Sequence, residues 1–362
     1  MVLGYYVVYL ATLEQENILK PAYYETSHKK CFSQRKDDYF GEFHVAIEKQ
    51  IMKRIIALSV TCLLVAVIYS LQSCRKDEPQ FQDYYLNTQK DIDNFNLSSV
   101  NDNLHINGQY INNLSNLSKV RLIKGSLSIY RSHMLKNLDG LHNLSSIDSG
   151  LYIHFNLSLD NITHLSKLEF VGGNIQIFDN ENLKNIQGLS NIRGFTNEIH
   201  LNRNISLESL KGLRGLSGAE LSITGNSSLA SLSALSGINE LKSLYISGQN
   251  LITSLDGLEE VELIEEYLYI TNNNRLISIN ELSNLKSANK INICENTLLD
   301  NLDGLENINA GLTFVSICRN PSLTNFCSLV PVLNANKSVN LRTELNKYNP
   351  TYEDILNGDC GP

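Results

Sequence analysis

Cysteines, histidines and one dense run of carboxylates are the residues of this 362-residue chain that could do chemistry. The seven cysteines are Cys31, Cys62, Cys74, Cys294, Cys318, Cys327 and Cys360. None forms a C-x-x-C pair, which argues against a zinc site or a thioredoxin-like centre. Beyond Cys74 the histidines are His105, His133, His142, His154, His164 and His200. They fall at different places in the pattern described below, whereas metal ligands must converge, so no metal site is expected. The carboxylates Glu259, Glu260, Glu262, Glu265 and Glu266 could hold a weakly bound calcium ion or form a solvated rim; the rim is the simpler reading. No G-x-S-x-G, H-E-x-x-H, P-loop or dinucleotide glycine pattern occurs, so neither an enzyme nor a cofactor is expected. A net charge of -8 argues against a nucleic-acid partner, which would demand clustered Lys and Arg.

Cys74 stands apart because of what precedes it. Residues 55–71, "IIALSVTCLLVAVIYSL", are almost entirely apolar and follow Met52, Lys53 and Arg54. A start residue, two cations and an apolar run of this length read as a secretory signal. A membrane-spanning helix is the alternative, for which the run is slightly short. The end of the run, "LQSC", resembles a bacterial lipobox, with Leu71, a small Ser73 and then the cysteine to be lipidated; Gln72 departs from that pattern. Lys76, Asp77 and Glu78 resemble the surface-export signal of Bacteroidetes lipoproteins. Residues 52–73 are then a signal peptide and residues 74–85 a lipidated tether. Residues 1–51 show no sustained period and read as a mis-called gene start or disordered extension, the alternative being a cytoplasmic segment ahead of a signal anchor.

The rest of the chain is periodic. The template L-x-I-x-x-N-x-x-L-x-x-L-x-x-L-x-x-L recurs with its first apolar position at Leu104, Leu127, Leu151, Ile175, Ile199, Leu221, Leu244, Leu268, Ile291 and Val315, a spacing of 22 to 24 residues over ten copies. A fixed period of this length defines a solenoid. The L-x-I unit alternates with period two and predicts a short strand with both apolar side chains inward. Asn156, Asn180, Asn204, Asn226, Asn273, Asn296 and Asn320 recur three residues after the second apolar one and should satisfy amides at a stacked corner. Ser132 and Gln249 replace asparagine in two turns, where local loosening is expected. Apolar residues then follow at every third position, as in Leu183, Ile186, Leu189 and Ile192, a period that fits neither a 3.6-residue helix nor a simple strand. It predicts short extended segments joined by tight turns.

Both ends of the coil need covering. "NTQKDIDNF" offers an N-cap at Asn87 or Thr88 and predicts a short helix closing the first turn. At the far end the period breaks after Val332, and residues 336–362 read as a cap that a Cys327–Cys360 disulfide would tie to the last turn. Cys294 and Cys318 share one outward position in adjacent turns; a disulfide and a close unbridged pair are both open.

Outward strand positions alternate with the core, so the sequence identifies them. Tyr130, Tyr152, His154, Gln176, Phe178 and His200 should form one patch, and Tyr245 with Tyr269 a second. Exposed aromatics with polar tips serve protein and sugar recognition; they also stabilise strands through neighbouring pairs.

Units such as "LSIYRSHMLKNLDGL" and "INICENTLLDNLDGL", and the entry segment "TQKDIDNFNLSSVNDNLHI", resemble the receptor L-domain type of leucine-rich solenoid. The resemblance spans residues 86–335. It implies an all-β-rich, right-handed parallel coil of ten turns with a short N-terminal capping helix. It carries weaker implications for function, since the fold serves many kinds of recognition. With the export signal, it leads to the expectation of a surface-exposed outer-membrane lipoprotein that binds a protein or glycan, in adhesion or recognition, through its strand face. The alternative is a structural envelope or matrix component without a specific ligand.

Overall fold

The computed structural model describes residues 82–193, 197–213 and 218–361. The proposed start at Met52, the signal peptide, Cys74 and the Lys76, Asp77, Glu78 triplet lie outside the described residues. Gln80–Pro362 forms one compact unit.

In chain order the strands begin with β1 (Tyr84–Leu86), β2 (Ser99–Val100), β3 (Leu104–Asn107), β4 (Leu122–Ile123), β5 (Leu127–Tyr130), β6 (Ser146–Ile147), β7 (Leu151–His154) and β8 (Phe170–Val171). They continue with β9 (Ile175–Phe178), β10 (Glu198–Asn202), β11 (Glu220–Thr224), β12 (Glu240–Ser247), β13 (Leu263–Thr271), β14 (Ser287–Cys294), β15 (Phe314–Cys318) and β16 (Asn340–Glu344). Twelve of them make one parallel sheet in the order β1-β3-β5-β7-β9-β10-β11-β12-β13-β14-β15-β16, and β2-β4-β6-β8 make a second of four strands. Each long-sheet strand pairs with the next turn's copy in register, as in Leu151↔Ile175 and Ile153↔Ile177. The result is a β-rich solenoid.

The physical cause is the template. Leu151 and Ile153, like their equivalents in the other turns, have no exposed surface. Burying each such side chain contributes about 1.5–3 kcal/mol, and none could be buried without the adjacent turn. The period-three stretches become short 3-10 turns at Ser115–Lys119, Thr163–Leu165, Gln187–Leu189, Ser233–Leu235 and Asn280–Leu282. A 3-10 helix has three residues per turn, so apolar residues spaced by three share one face. Elsewhere the every-third residues sit in tight turns closed by bonds such as Leu183 N–H to Asn180 O and Ile192 N–H to Leu189 O, as the spacing predicts.

The asparagine corner is a ladder broken only at Gln249 among the described residues. Asn156 N–H donates to Asn180 Oδ1 at 3.1 Å, and Asn156 Nδ2 donates to Ile129 O at 3.0 Å. Asn180 repeats the pattern with Asn204 Oδ1 (3.1 Å) and Ile153 O (2.8 Å). These amides are fully buried. The residue before each ladder position has positive φ; it is Gly225 or Gly248 in two turns, but Arg131, Phe155, Asp179, Arg203, Asn272, Glu295, Arg319 or Leu345 in others. The corner thus holds non-glycine residues in the left-handed region, at a cost of about 1 kcal/mol each, which the ladder and packing offset.

At the two substituted turns the strands keep their register; Ser132 N–H still donates to Asn156 Oδ1 (3.0 Å), and Gln249 N–H to Asn273 Oδ1 (3.1 Å). The expected loosening is confined to side-chain atoms: Ser132 Oγ and Gln249 Oε1 are buried without a partner. Gln249 Nε2 reaches Ile223 O at 2.8 Å, but its longer side chain carries the oxygen past the preceding corner. Gln249→Asn should therefore raise stability by about 1–2 kcal/mol, read as a higher midpoint in guanidinium titration. An unchanged midpoint would show that the corner does not need the acceptor.

The long sheet runs past both boundaries read from the sequence. β1 begins within the stretch assigned to the tether and crosses its end at residue 85, because Tyr84 and Leu86 do not match the L-x-I template. β16 lies beyond residue 335, with Leu341 opposite Val315 and Thr343 opposite Ile317. The ladder continues there too: Asn346 accepts from Asn320 N–H at 3.0 Å. Helix α1 (Gln89–Asn94) starts at Thr88, whose side chain and Asp91 form a reciprocal capping box, and it buries Ile92. Helices α2 (Leu329–Ala335) and α3 (Tyr352–Leu356) flank β16 in sequence and contribute Val332, Leu333 and Ile355 to the core.

Candidate functional site: the aromatic row on the long sheet

Because strands pair in register, outward residues of successive turns fall into rows along the coil. One row runs Tyr85, His105, Ser128, Tyr152, Gln176, His200, Ser222, Tyr245, Tyr269, Asn292, Ser316, Arg342. The adjacent row runs Asn107, Tyr130, His154, Phe178, Asn202, Thr224, Ser247, Thr271, Cys294, Cys318, Glu344.

The structure brings the predicted aromatics together. His154 and Phe178 stack at 4.7 Å with 7° between their planes, and Phe178 and His200 stack at 6.3 Å and 10°. Tyr130 and Tyr152 approach His154 edge-on at 6.5 and 6.0 Å. Tyr245 stacks on Tyr269 at 5.2 Å. All of these residues, with Gln176 beside Tyr152 and His200, are half-buried.

Three neighbours escaped the sequence reading. Tyr267 lies 5.8 Å from Tyr269 and carries Lys290 Nζ 4.8 Å from its ring centroid. It stands just before the Leu268-x-Ile270 unit, at an outward position that the same alternation gives, in register with Lys290 of the next turn. Phe155 packs edge-on against Tyr130 at 5.5 Å from its left-handed corner. Tyr85 stacks on His105 at 4.7 Å and belongs to the strand missed at the N-terminal edge.

Charge is concentrated near His200. Its Nε2 lies 3.3 Å from Glu220 Oε1 and 4.0 Å from Glu198 Oε2, while Asn174 Nδ2 donates to Glu198 at 2.8 Å. His154 behaves oppositely: burial pushes its pKa below the ordinary histidine value, and its Nε2 has no partner. The folded state therefore disfavours the protonated ring. As pH falls through the histidine range the unfolded chain takes the proton first, so this stabilising contribution is present above that range and lost on acidification. His154→Phe should lose less stability than the unaltered chain between about pH 7.5 and about pH 5.5; equal losses in denaturant titrations would exclude His154 as a source.

Cys294 and Cys318 are joined by a disulfide, as are Cys327 and Cys360. Cys294 and its neighbour Ser316 are buried although their positions face outward, so outward did not mean exposed at this end. The acidic run does not converge: Glu262 pairs with Lys286 at 2.7 Å and Glu266 with Lys242 at 3.8 Å. Among the described residues no group of His, Cys, Asp and Glu is arranged to hold a metal ion. A hollow of about 640 Å³ lies along the 3-10 turns, lined by Thr163, Ser166, Gln187, Ser190, Lys211 and Gly212, none of them a predicted site residue. The long sheet offers ring faces, phenol tips and a carboxylate–imidazole pair as contact groups.

A family model described as receptor L domain matches residues 98–176, less than half of the chain. This similarity supports a ligand-binding, receptor-like role. Searches of curated proteins and of solved structures returned no match.

Proposed function

We propose that this protein is a non-enzymatic recognition or adhesion module, held in the outer membrane by a lipid on Cys74, displayed outside the cell through the Lys76, Asp77, Glu78 signal, and binding a protein or glycan through the aromatic row. In this reading the coil is right-handed, comprises the ten template turns, and is closed at its N-terminal end by α1. The observation that carries the proposal is the unbroken contact series Tyr130–His154–Phe178–His200 on a face that remains half-exposed. Strand stabilisation alone does not call for aromatic groups with polar tips clustered on the solvent side.

Two measurements test it. Protease treatment of intact cells should remove the solenoid from the unaltered protein, and Cys74→Ala or neutralisation of the triplet should protect or release it. Replacing Tyr152, Phe178 and His200 together by alanine should abolish cell-surface or matrix binding while the circular dichroism spectrum is kept. Unaltered binding in that variant would remove this face from consideration and favour a structural envelope role.

A further inference from the structure

The aromatic row has a one-strand gap. Toward the N-terminus it ends with the parallel rings of Phe178 and His200, and toward the C-terminus it resumes with the stacked rings of Tyr245 and Tyr269. Between them, β11 presents no ring, only Glu220, Ser222 and Thr224, with Asn202 and Ser247 on the flanking strands. The register places Ser222 directly between His200 and Tyr245. Strands of a sheet lie about 4.8 Å apart, so these two ring-bearing positions are about 10 Å apart. A ring seated over Ser222 would lie about 4.8 Å from each wall. Ring spacings already used on this face bracket that value, at 4.7 Å for His154 with Phe178, 5.2 Å for Tyr245 with Tyr269 and 6.3 Å for Phe178 with His200.

The floor and rim of the gap are polar. Ser222 Oγ lies 3.3 Å from Asn202 Oδ1 and 3.4 Å from Thr224 Oγ1. On the other side stands Glu220, 3.3 Å from His200 Nε2 and close enough to Tyr245 to raise its phenol pKa after burial has done so. Its carboxylate therefore lies at the rim between the two walls, with acceptor capacity beyond its histidine contact.

Resting on the recognition reading above, we propose that this gap is a sugar-binding slot that sandwiches one neutral pyranose between His200 and Tyr245. A pyranose offers apolar C–H faces to two aromatic walls and hydroxyls around its edge to Ser222, Thr224, Asn202 and Glu220. An aromatic side chain of a protein would fit the walls but would leave these floor groups facing carbon, at a desolvation cost. An acidic sugar is disfavoured by Glu220 and the nearby Glu198.

The test is calorimetric titration of the full chain with maltohexaose, cellohexaose, mannohexaose and galactohexaose, and with polygalacturonate as the anionic contrast. At least one neutral oligosaccharide should bind and polygalacturonate should not. Ser222→Tyr, which fills the gap with a residue the row already accommodates, and Tyr245→Ala, which removes a wall, should each weaken that binding about tenfold or more with the circular dichroism spectrum unchanged. The proposal is overturned if no neutral oligosaccharide binds, if polygalacturonate binds better, or if Ser222→Tyr binds as the unaltered chain does. If no saccharide binds but Ser222→Tyr abolishes binding to cells or matrix, the occupant is a protein side chain; the slot's sugar assignment fails and the recognition face stands. If the triple alanine variant also leaves binding intact, both fail.

Discussion

Asn180→Ala is expected to lower the unfolding free energy by about 3–5 kcal/mol, the largest effect of any single substitution considered. The Asn180 side chain serves the turn before its own. Its Oδ1 accepts from Asn156 N–H and from Asn156 Nδ2, both at 3.1 Å, and its Nδ2 donates to Ile153 O at 2.8 Å. Alanine leaves a buried N–H and a buried C=O without those partners, each costing about 1–3 kcal/mol, and adds a small cavity. Because turns contact only their neighbours, the damage should be local before it is global. Guanidinium titration should show a lower midpoint, and hydrogen exchange should quicken first at Asn156 and its neighbours. A change below about 1 kcal/mol would mean that water enters the corner and replaces the amide.

Replacing Cys327 and Cys360 together by serine is expected to cost about 4 kcal/mol on the chain-entropy model for a bridge across 33 residues. The bridge closes the segment containing α2, β16 and α3. Phe326 N–H donates to Cys360 O at 2.7 Å and Tyr348 N–H to Leu323 O at 3.1 Å, so the tail lies against the last turn along its length. Without the covalent tie these contacts alone hold it, and release would uncover the β15 edge, an invitation to pair with another chain. Unfolding of the serine variant, or of the reduced protein, should begin in this segment. Its C-terminal residues should become sensitive to protease while the central turns stay protected. Uniform loss of protection would mean that the tail is integral to the whole coil, contrary to the nearest-neighbour picture.

The coil itself was readable because the period repeats and each repeat states the same physics: two alternating apolar residues for a strand, one amide for a corner. Both rows of outward residues followed from that alternation. What escaped were the departures from it. Tyr267 is the exception: alternation with Leu268 already places it outward, but it precedes the L-x-I unit on which the two rows were built. β16 carries Thr343 where an isoleucine was expected, and only its pairing with Ile317 reveals it. The every-third apolar spacing predicted tight turns, and those are present; that some close as single 3-10 turns left no separate mark. A second polar column was also overlooked. Asn113, Asn137, Asn161, Asn185 and Asn325 each accept from the backbone N–H two residues on, at 2.7 to 3.3 Å. Their spacing of 24 residues over the first four was available as a signal. Burial of Cys294 could not be read from position, since it depends on which side chains of neighbouring strands cover it.

The asparagine ladder also has a direction. Except at Gln249, each rung is supplied by the following turn: the side chain that satisfies Asn156 belongs to Asn180, and the one that satisfies Asn180 belongs to Asn204. The series ends when Asn346 N–H turns to Asn349 Oδ1, only three residues away, at 2.9 Å. A chain emerging from the ribosome, or one shortened from its C-terminus, therefore always presents one last corner whose acceptor has not yet arrived. Asn349, which supplies that acceptor to Asn346 from within the same loop, lets the column stop.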